Sequence, residues 1–337
     1  LIKMNCTFYT TTKRMEVQCT ACVHRCVIKR GEFGKCRVRK NVDNALKLMS
    51  AYHPTEVKTE QIERLNLVHV LPGSRALAVG FLGCNMKCDF CNSWVYSHDN
   101  FQTDIEEYCE EQFKRVTPAD LVRRAEQNQI PSIVFGLNEP GVYAEVVLLC
   151  AELARKSFIK VGICTNGMFS EEVCAEFVSK LDFAIFDYKQ ARNDFYQQMG
   201  GDQELLKGNM RRFFEARVHF EVAIPVLGSL KTDELEHILV QIRKMSLLIP
   251  VVLVQVEPDF ELLDLKRVKR EKLENFRELA LALGFKNVFI KDQTCQEVVE
   301  KCDCGQEMII RQGVFCEVVG MSAGKCVQCG HEFEGVW

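Results

Sequence analysis

Short apolar runs, each followed by an amphipathic stretch, recur through the middle of the chain at a spacing of about thirty residues, the length of a βαβ crossover. The strand candidates are 77–82, 132–137, 160–164, 183–188, 219–224, 251–256 and 288–290. Runs such as SIVFGL and FAIFDY are apolar at successive positions, which suits strands covered on both faces. Helix starts stand between them. Thr117-Pro118-Ala119-Asp120 offers an N-cap, a proline for the first turn and a carboxylate beside the helix N-terminus. Ser170-Glu171-Glu172 and Thr232-Asp233-Glu234 repeat the pattern, and an apolar-faced helix over 273–283 stops at Gly284. The rhythm predicts a parallel α/β architecture, either a barrel or a doubly wound sheet.

The loop after the first predicted strand, GCNMKCDFCNS, holds Cys84, Cys88 and Cys91 in a C-x3-C-x2-C spacing. Three thiolates on one short loop can hold three corners of a cubane iron–sulfur cluster, which usually takes four cysteines, and so leave one iron open to a substrate or cofactor. A structural zinc with His98 as fourth ligand is the competing reading. Zinc knuckles favour two close ligand pairs separated by a longer gap, and this is one compact triplet.

The chain has 18 cysteines, and its opening lacks the apolar stretch of a secretion signal. Clustered cysteines in such a chain are expected to be metal ligands in the cytoplasm, not disulfides. Since the first residue is Leu1, the native start is expected upstream. Cys19, Cys22, Cys26 and Cys36 form C-x2-C-x3-C-x9-C, which suits zinc or a second, fully ligated iron–sulfur cluster. Near the other end Cys302, Cys304, Cys326 and Cys329 suggest a zinc ribbon with one irregular half, C-x-C, where Cys316 could replace Cys302. Cys150, Cys164 and Cys174 sit in apolar surroundings and are expected in the core.

These breaks in rhythm predict a Cys-rich N-terminal module over 1–73, a core over 74–294 and a zinc-ribbon-like module over 295–337. Net charge is only −3, and no apolar run is long enough to span a bilayer, so neither nucleic acid nor membrane is expected as a partner. Arg25, Lys29, Arg30, Lys35, Arg37, Arg39 and Lys40 make the N-terminal module locally basic, which reads first as a solvated face.

GFLGCNMKCDFCNSW resembles the signature loop of the radical S-adenosylmethionine (radical SAM) superfamily. Together with CTACVHRCVIKRGEFGKCRVRKN, LPGSRALAVGFLGCN, FGLNEPGVYAE, CTNGMFSEE and EGVW, it resembles the AmmeMemoRadiSam enzymes, relatives of the pyruvate formate-lyase activating enzymes. The resemblance implies a partial (βα)6, TIM-like barrel of the radical SAM type with small metal-binding appendages. It implies a [4Fe-4S] cluster on Cys84, Cys88 and Cys91, reductive cleavage of SAM, and a 5′-deoxyadenosyl radical that abstracts hydrogen from a substrate. It also implies a low-potential electron donor, and it leaves the substrate open: a glycine of a partner protein is suggested, with a small molecule or a modified amino acid equally compatible. Residue by residue, it puts Asn138 and Glu139 at the family's GGEP-like position with Glu139 at the SAM ammonium, Thr165 and Asn166 at the ribose, Asp187 and Lys189 at the family's DLK-like strand end with Lys189 at the methionine carboxylate, and Phe90 against the adenine. The segments IPVLGSLKTDE and VEPDF depart from the family's turns, with Glu221, Gln255 and Glu257 as substrate-side candidates. The alternative is a non-catalytic module with zinc at all three clusters, docking RNA or protein through its basic N-terminus.

Overall fold

The computed structural model describes residues 4–12, 15–98, 105–292 and 296–337. Cys295 and the domain boundary expected after residue 294 lie outside the described residues.

Seven parallel strands form the main sheet: β1 (Arg75–Gly80), β2 (Ser132–Phe135), β3 (Lys160–Thr165), β4 (Phe183–Asp187), β5 (His219–Val226), β6 (Val251–Gln255) and β7 (Val288–Lys291). Each pairs in parallel with its sequence neighbour. An antiparallel strand, Glu56–Gln61, pairs with β1 at the edge, so the main sheet begins ahead of residue 74. Helices in every crossover make this a partial (βα)6 barrel with a closing strand.

The helix starts follow local chemistry. The Thr117 hydroxyl accepts the Asp120 N–H while the Asp120 carboxylate accepts the Thr117 N–H, a reciprocal cap. Ser170 accepts the Val173 N–H in the same way. Thr232 lies one residue inside its helix, since Lys231 is the flanking residue and gives its N–H to Glu234. The helix Arg270–Ala282 ends two residues before Gly284, which takes φ +99°.

Side chains alternate across the strands. On β4, Ala184 and Phe186 face the helices, while Phe183 and Ile185 face the barrel interior. The interior is filled from the N-terminal end of the strands by the segment that joins the edge strand to β1. Its Ile62, Leu67 and Val70 pack against Ala76, Val134, Phe183, Ile185 and Ala223. Gly162 makes room for this packing, since a Cβ there would stand 2.1 Å from the Phe183 ring. Glu221, fully buried on β5, accepts the Val68 and His69 N–H groups at 2.8 and 2.7 Å. Glu221 therefore fastens this inner segment and does not face a substrate. Lys291, at the end of β7, donates to the Glu63 and Arg64 carbonyls and ties the open side of the barrel to the same segment.

Both Cys-rich ends dock onto the barrel. The N-terminal part forms two small antiparallel sheets. Arg39, read from sequence as part of a solvated face, is buried. Its guanidinium pairs with Glu145 and donates to the Val142 carbonyl at 2.9 Å. Arg25 and Arg30 are paired with Glu172 and Asp43. At the other end, Val336 pairs with Val70, and Arg311 donates to the Val68 carbonyl and to Glu300, which also meets His69. Among the described residues no helix is long and apolar enough to cross a membrane.

Candidate active site

β1 delivers Phe81, Leu82 and Gly83 directly into the cysteine loop. Gly83 takes φ +88°, and a Cβ there would lie 2.5 Å from the Cys36 carbonyl, so only glycine lets the N-terminal module come this close. Asn138, just past β2, secures the same point. Its amide donates to the Gly83 carbonyl at 2.5 Å, and its oxygen accepts the Phe81 N–H and the Tyr143 hydroxyl.

The loop opens into a cavity of about 590 Å³ at the C-terminal ends of the strands. Cys84, Cys88 and Cys91 line it together with Phe90, Asn138, Glu139, Asn166, Asp187 and Lys189. Thr165 is not on the wall. It is buried behind Glu139, with its hydroxyl 2.8 Å from the carboxylate.

Glu139 is almost fully buried and also accepts the Gly141 and Asn166 N–H groups, each at 2.8 Å. Burial pushes its carboxyl up to about 7, against the pull of those donors. Asn166 turns its amide toward the cysteine loop, 2.9 Å from Asn85 Oδ1 and 3.9 Å from Cys84 Sγ. Lys189 Nζ lies 3.1 Å from Asp187 Oδ2 and 5.7 Å from the centre of the Phe90 ring. Burial opposes its charge, but Asp187 more than offsets that and keeps the ammonium protonated. Burial raises all three thiols of the loop, Cys88 to about 11, so a metal must displace their protons on binding.

The opposite wall was not legible in the sequence. Arg64 and Asn66 come from the inner segment, Lys291 and Asp292 from the end of β7, and Cys164 from β3. Cys164, expected in the core, packs partly buried against the interior cluster and also faces the cavity. Burial lowers Lys291 to about 8. Gln255 and Glu257 also line the cavity, as their position after β6 suggests. Beyond them, Phe260 stacks on Trp94 at 5.1 Å, and Asp259 accepts the Trp94 indole N–H at 3.2 Å.

Ligand spacing separates the cysteine groups. Thiolates on one tetrahedral zinc stand about 3.8 Å apart, given Zn–S bonds of about 2.3 Å. The sulfurs of Cys302, Cys304, Cys326 and Cys329 all lie within 4.8 Å of one another, with pairs at 3.5 and 3.7 Å. Cys302 thus belongs to this set, while Cys316 turns away to Arg311. Among the described residues, no other group of three or more His, Cys, Asp or Glu ligand atoms is so close. Cys84, Cys88 and Cys91 are therefore spread too widely for one zinc, and His98 does not complete such a site. The spread suits sulfurs that each hold a different iron of a cube.

Residues 79–242 match the model of the radical SAM superfamily. The chain carries a radical SAM domain. The match begins in β1 just ahead of the cysteine loop and ends in the helix after β5. Over 97% of its length the chain is 25% identical to the uncharacterized protein MJ0808 of Methanocaldococcus jannaschii, covering 98% of that protein. The barrel is similar to Streptococcus suis SuiB, solved with S-adenosylmethionine, at a TM-score of 0.51 and 12% identity. That similarity covers 70% of this chain and 53% of SuiB. The SuiB complex with its precursor peptide SuiA gives the same TM-score of 0.51, at 11% identity, over 68% of this chain and 51% of SuiB. The chain thus spans about half the length of those SuiB structures. At this identity the likeness speaks for the fold of the radical SAM domain alone.

Proposed function

We propose that the chain is a radical SAM enzyme that binds a [4Fe-4S] cluster through Cys84, Cys88 and Cys91 and cleaves SAM at the mouth of the barrel. The observation that carries this reading is the placement of those thiols, spaced beyond single-ion distance, in one cavity with a buried carboxylate and a buried ammonium. When bound, the cluster and SAM supply a 5′-deoxyadenosyl radical that removes a hydrogen atom from carbon.

The residues of the chain bind and orient. Lys189, held charged by Asp187, offers a donor for the methionine carboxylate. Glu139, in its ionised form, accepts from the ammonium. The Phe90 ring borders the adenine. Asn166 reaches the ribose side while its amide holds Asn85 on the cysteine loop. Thr165 acts one step back by fixing Glu139, and Asn138 by fixing Gly83.

The resemblance to AmmeMemoRadiSam and glycyl-radical-activating enzymes supports a glycine of a partner protein as the hydrogen donor, and a low-potential one-electron donor as reductant. Abundant free thiols fit a reducing cytoplasm. The C-terminal quartet fits a structural zinc. Anaerobically reconstituted protein should yield methionine and 5′-deoxyadenosine from SAM and a strong reductant, and Cys88→Ala should yield neither. Cluster-loaded wild-type protein that leaves SAM intact would refute the reading.

A further inference from the structure

Cys19, Cys22, Cys26 and Cys36 lie outside the site just described, yet the fold builds them against it. Cys19, Cys22 and Cys36 are buried and Cys26 is half-buried. Each faces a main-chain N–H: Ala21 for Cys19, His24 for Cys22, Val38 for Cys36, and Lys35 for Cys26, the last at 3.4 Å. Three buried sulfurs and one half-buried sulfur, with main-chain amides beside them, form a built donor set. Arg39, buried and paired with Glu145, lies close by.

We infer that these four cysteines hold a second iron–sulfur cluster, not zinc, directly against the loop that carries the first. Spacing decides between the metals. No three of the four sulfurs lie within 4.8 Å of one another, whereas the C-terminal quartet in the same molecule converges to single-ion distances. Four neighbouring sulfurs too far apart to share one ion suit a cube, in which each would hold a different iron.

The second centre is joined to the first by direct contacts. The Cys36 carbonyl rests on Gly83, next to Cys84. His24 Nε2 donates to the Asn85 carbonyl at 2.6 Å. Cys22 bridges Phe169, and the Val23 N–H donates to the Met168 carbonyl, both just past Asn166. A groove of about 550 Å³ has both Cys36 and Cys84 in its wall. This placement suits passage of a single electron from an external low-potential donor to the first centre, with no bond made or broken at the N-terminal cysteines. That role rests on the function proposed above; the presence of the cluster does not.

The test uses the full chain, reconstituted without oxygen with iron and sulfide. Wild-type protein should hold about eight irons, and the triple variant C84A/C88A/C91A about four, with a reduced-state [4Fe-4S] resonance. The double variant C22S/C36S, whose catalytic loop is intact, should also hold about four, and guards against a triple variant that fails to fold. The reduced wild-type spectrum should show spin–spin broadening that either variant abolishes. About four irons in the wild type, or zinc in place of iron at the N-terminal cysteines, overturns the inference. Eight irons without SAM cleavage would sink the proposed function and leave this cluster standing. Four irons with SAM cleavage would do the reverse.

Discussion

The Asn138 side-chain amide donates to the Gly83 carbonyl at 2.5 Å and so ties the end of β2 to the residue before Cys84. Its oxygen also accepts from Phe81 and Tyr143, so no polar group of this side chain is left over. Asn138→Ala strands the Phe81 N–H and the Gly83 carbonyl, at a cost of about 1–3 kcal/mol. Denaturant midpoints should show that loss. The variant should also give up its iron to a chelator several-fold faster than wild type.

Glu139 sets a pH dependence. Its carboxyl is raised to about 7, so below that pH it is mostly protonated and accepts poorly from an ammonium. SAM affinity should therefore tighten about tenfold per unit as pH rises toward 7, then level off. In the ligand-free protein the sign is opposite for stability. A carboxyl raised above its unfolded value costs stability as pH climbs from about 4.5 to about 7. Glu139→Gln should flatten both trends, read by calorimetric titration and by unfolding at several pH values.

Lys189→Met removes the ammonium and leaves Asp187 without its partner. Loss of a charge-assisted bond of about 1.5–3 kcal/mol should weaken SAM binding by roughly ten- to a hundredfold. Asp187→Asn should do less harm, since the donor to the carboxylate remains. Equal effects from the two variants would argue against direct contact between Lys189 and SAM.

The C-terminal quartet predicts metal content. Cys302→Ser or Cys326→Ser should lower bound zinc by about one ion per chain, as a tetrahedral site with a lost ligand binds far more weakly. Cys316→Ser should leave zinc unchanged, since its sulfur faces Arg311. Elemental analysis decides between them.

The Arg39–Glu145 pair, buried on both sides, predicts a coupled energetic effect. Arg39→Met alone strands a buried carboxylate and should cost about 3–5 kcal/mol. Adding Glu145→Leu should recover much of it, which a double-mutant cycle would read directly.

The seven parallel strands were legible because buried β-sheet leaves continuous apolar runs, and SIVFGL and FAIFDY fall on β2 and β4. The helix caps at Thr117 and Ser170 were legible because capping is local. The cysteine loop, Glu139 and Lys189 were brought into one cavity as the motif order suggested. What escaped was set by long-range packing. Nothing local in residues 62–73 says that they fill a barrel, so Arg64 and Asn66 went unseen, and Glu221 was taken for a substrate-side residue. Arg39 looked solvated beside its basic neighbours, because its partner Glu145 is more than a hundred residues away. The irregular C-x-C half of the C-terminal site left its ligands open until the sulfurs were seen to converge.

The inner segment fastened by Glu221 and Lys291 fills the barrel beneath the cavity from the N-terminal end of the strands. On the proposed function, SAM and the second substrate would then enter from the C-terminal ends of the strands. A bulky partner engaged there would serve as the stopper, trapping a reactive species with nowhere to go except its intended target.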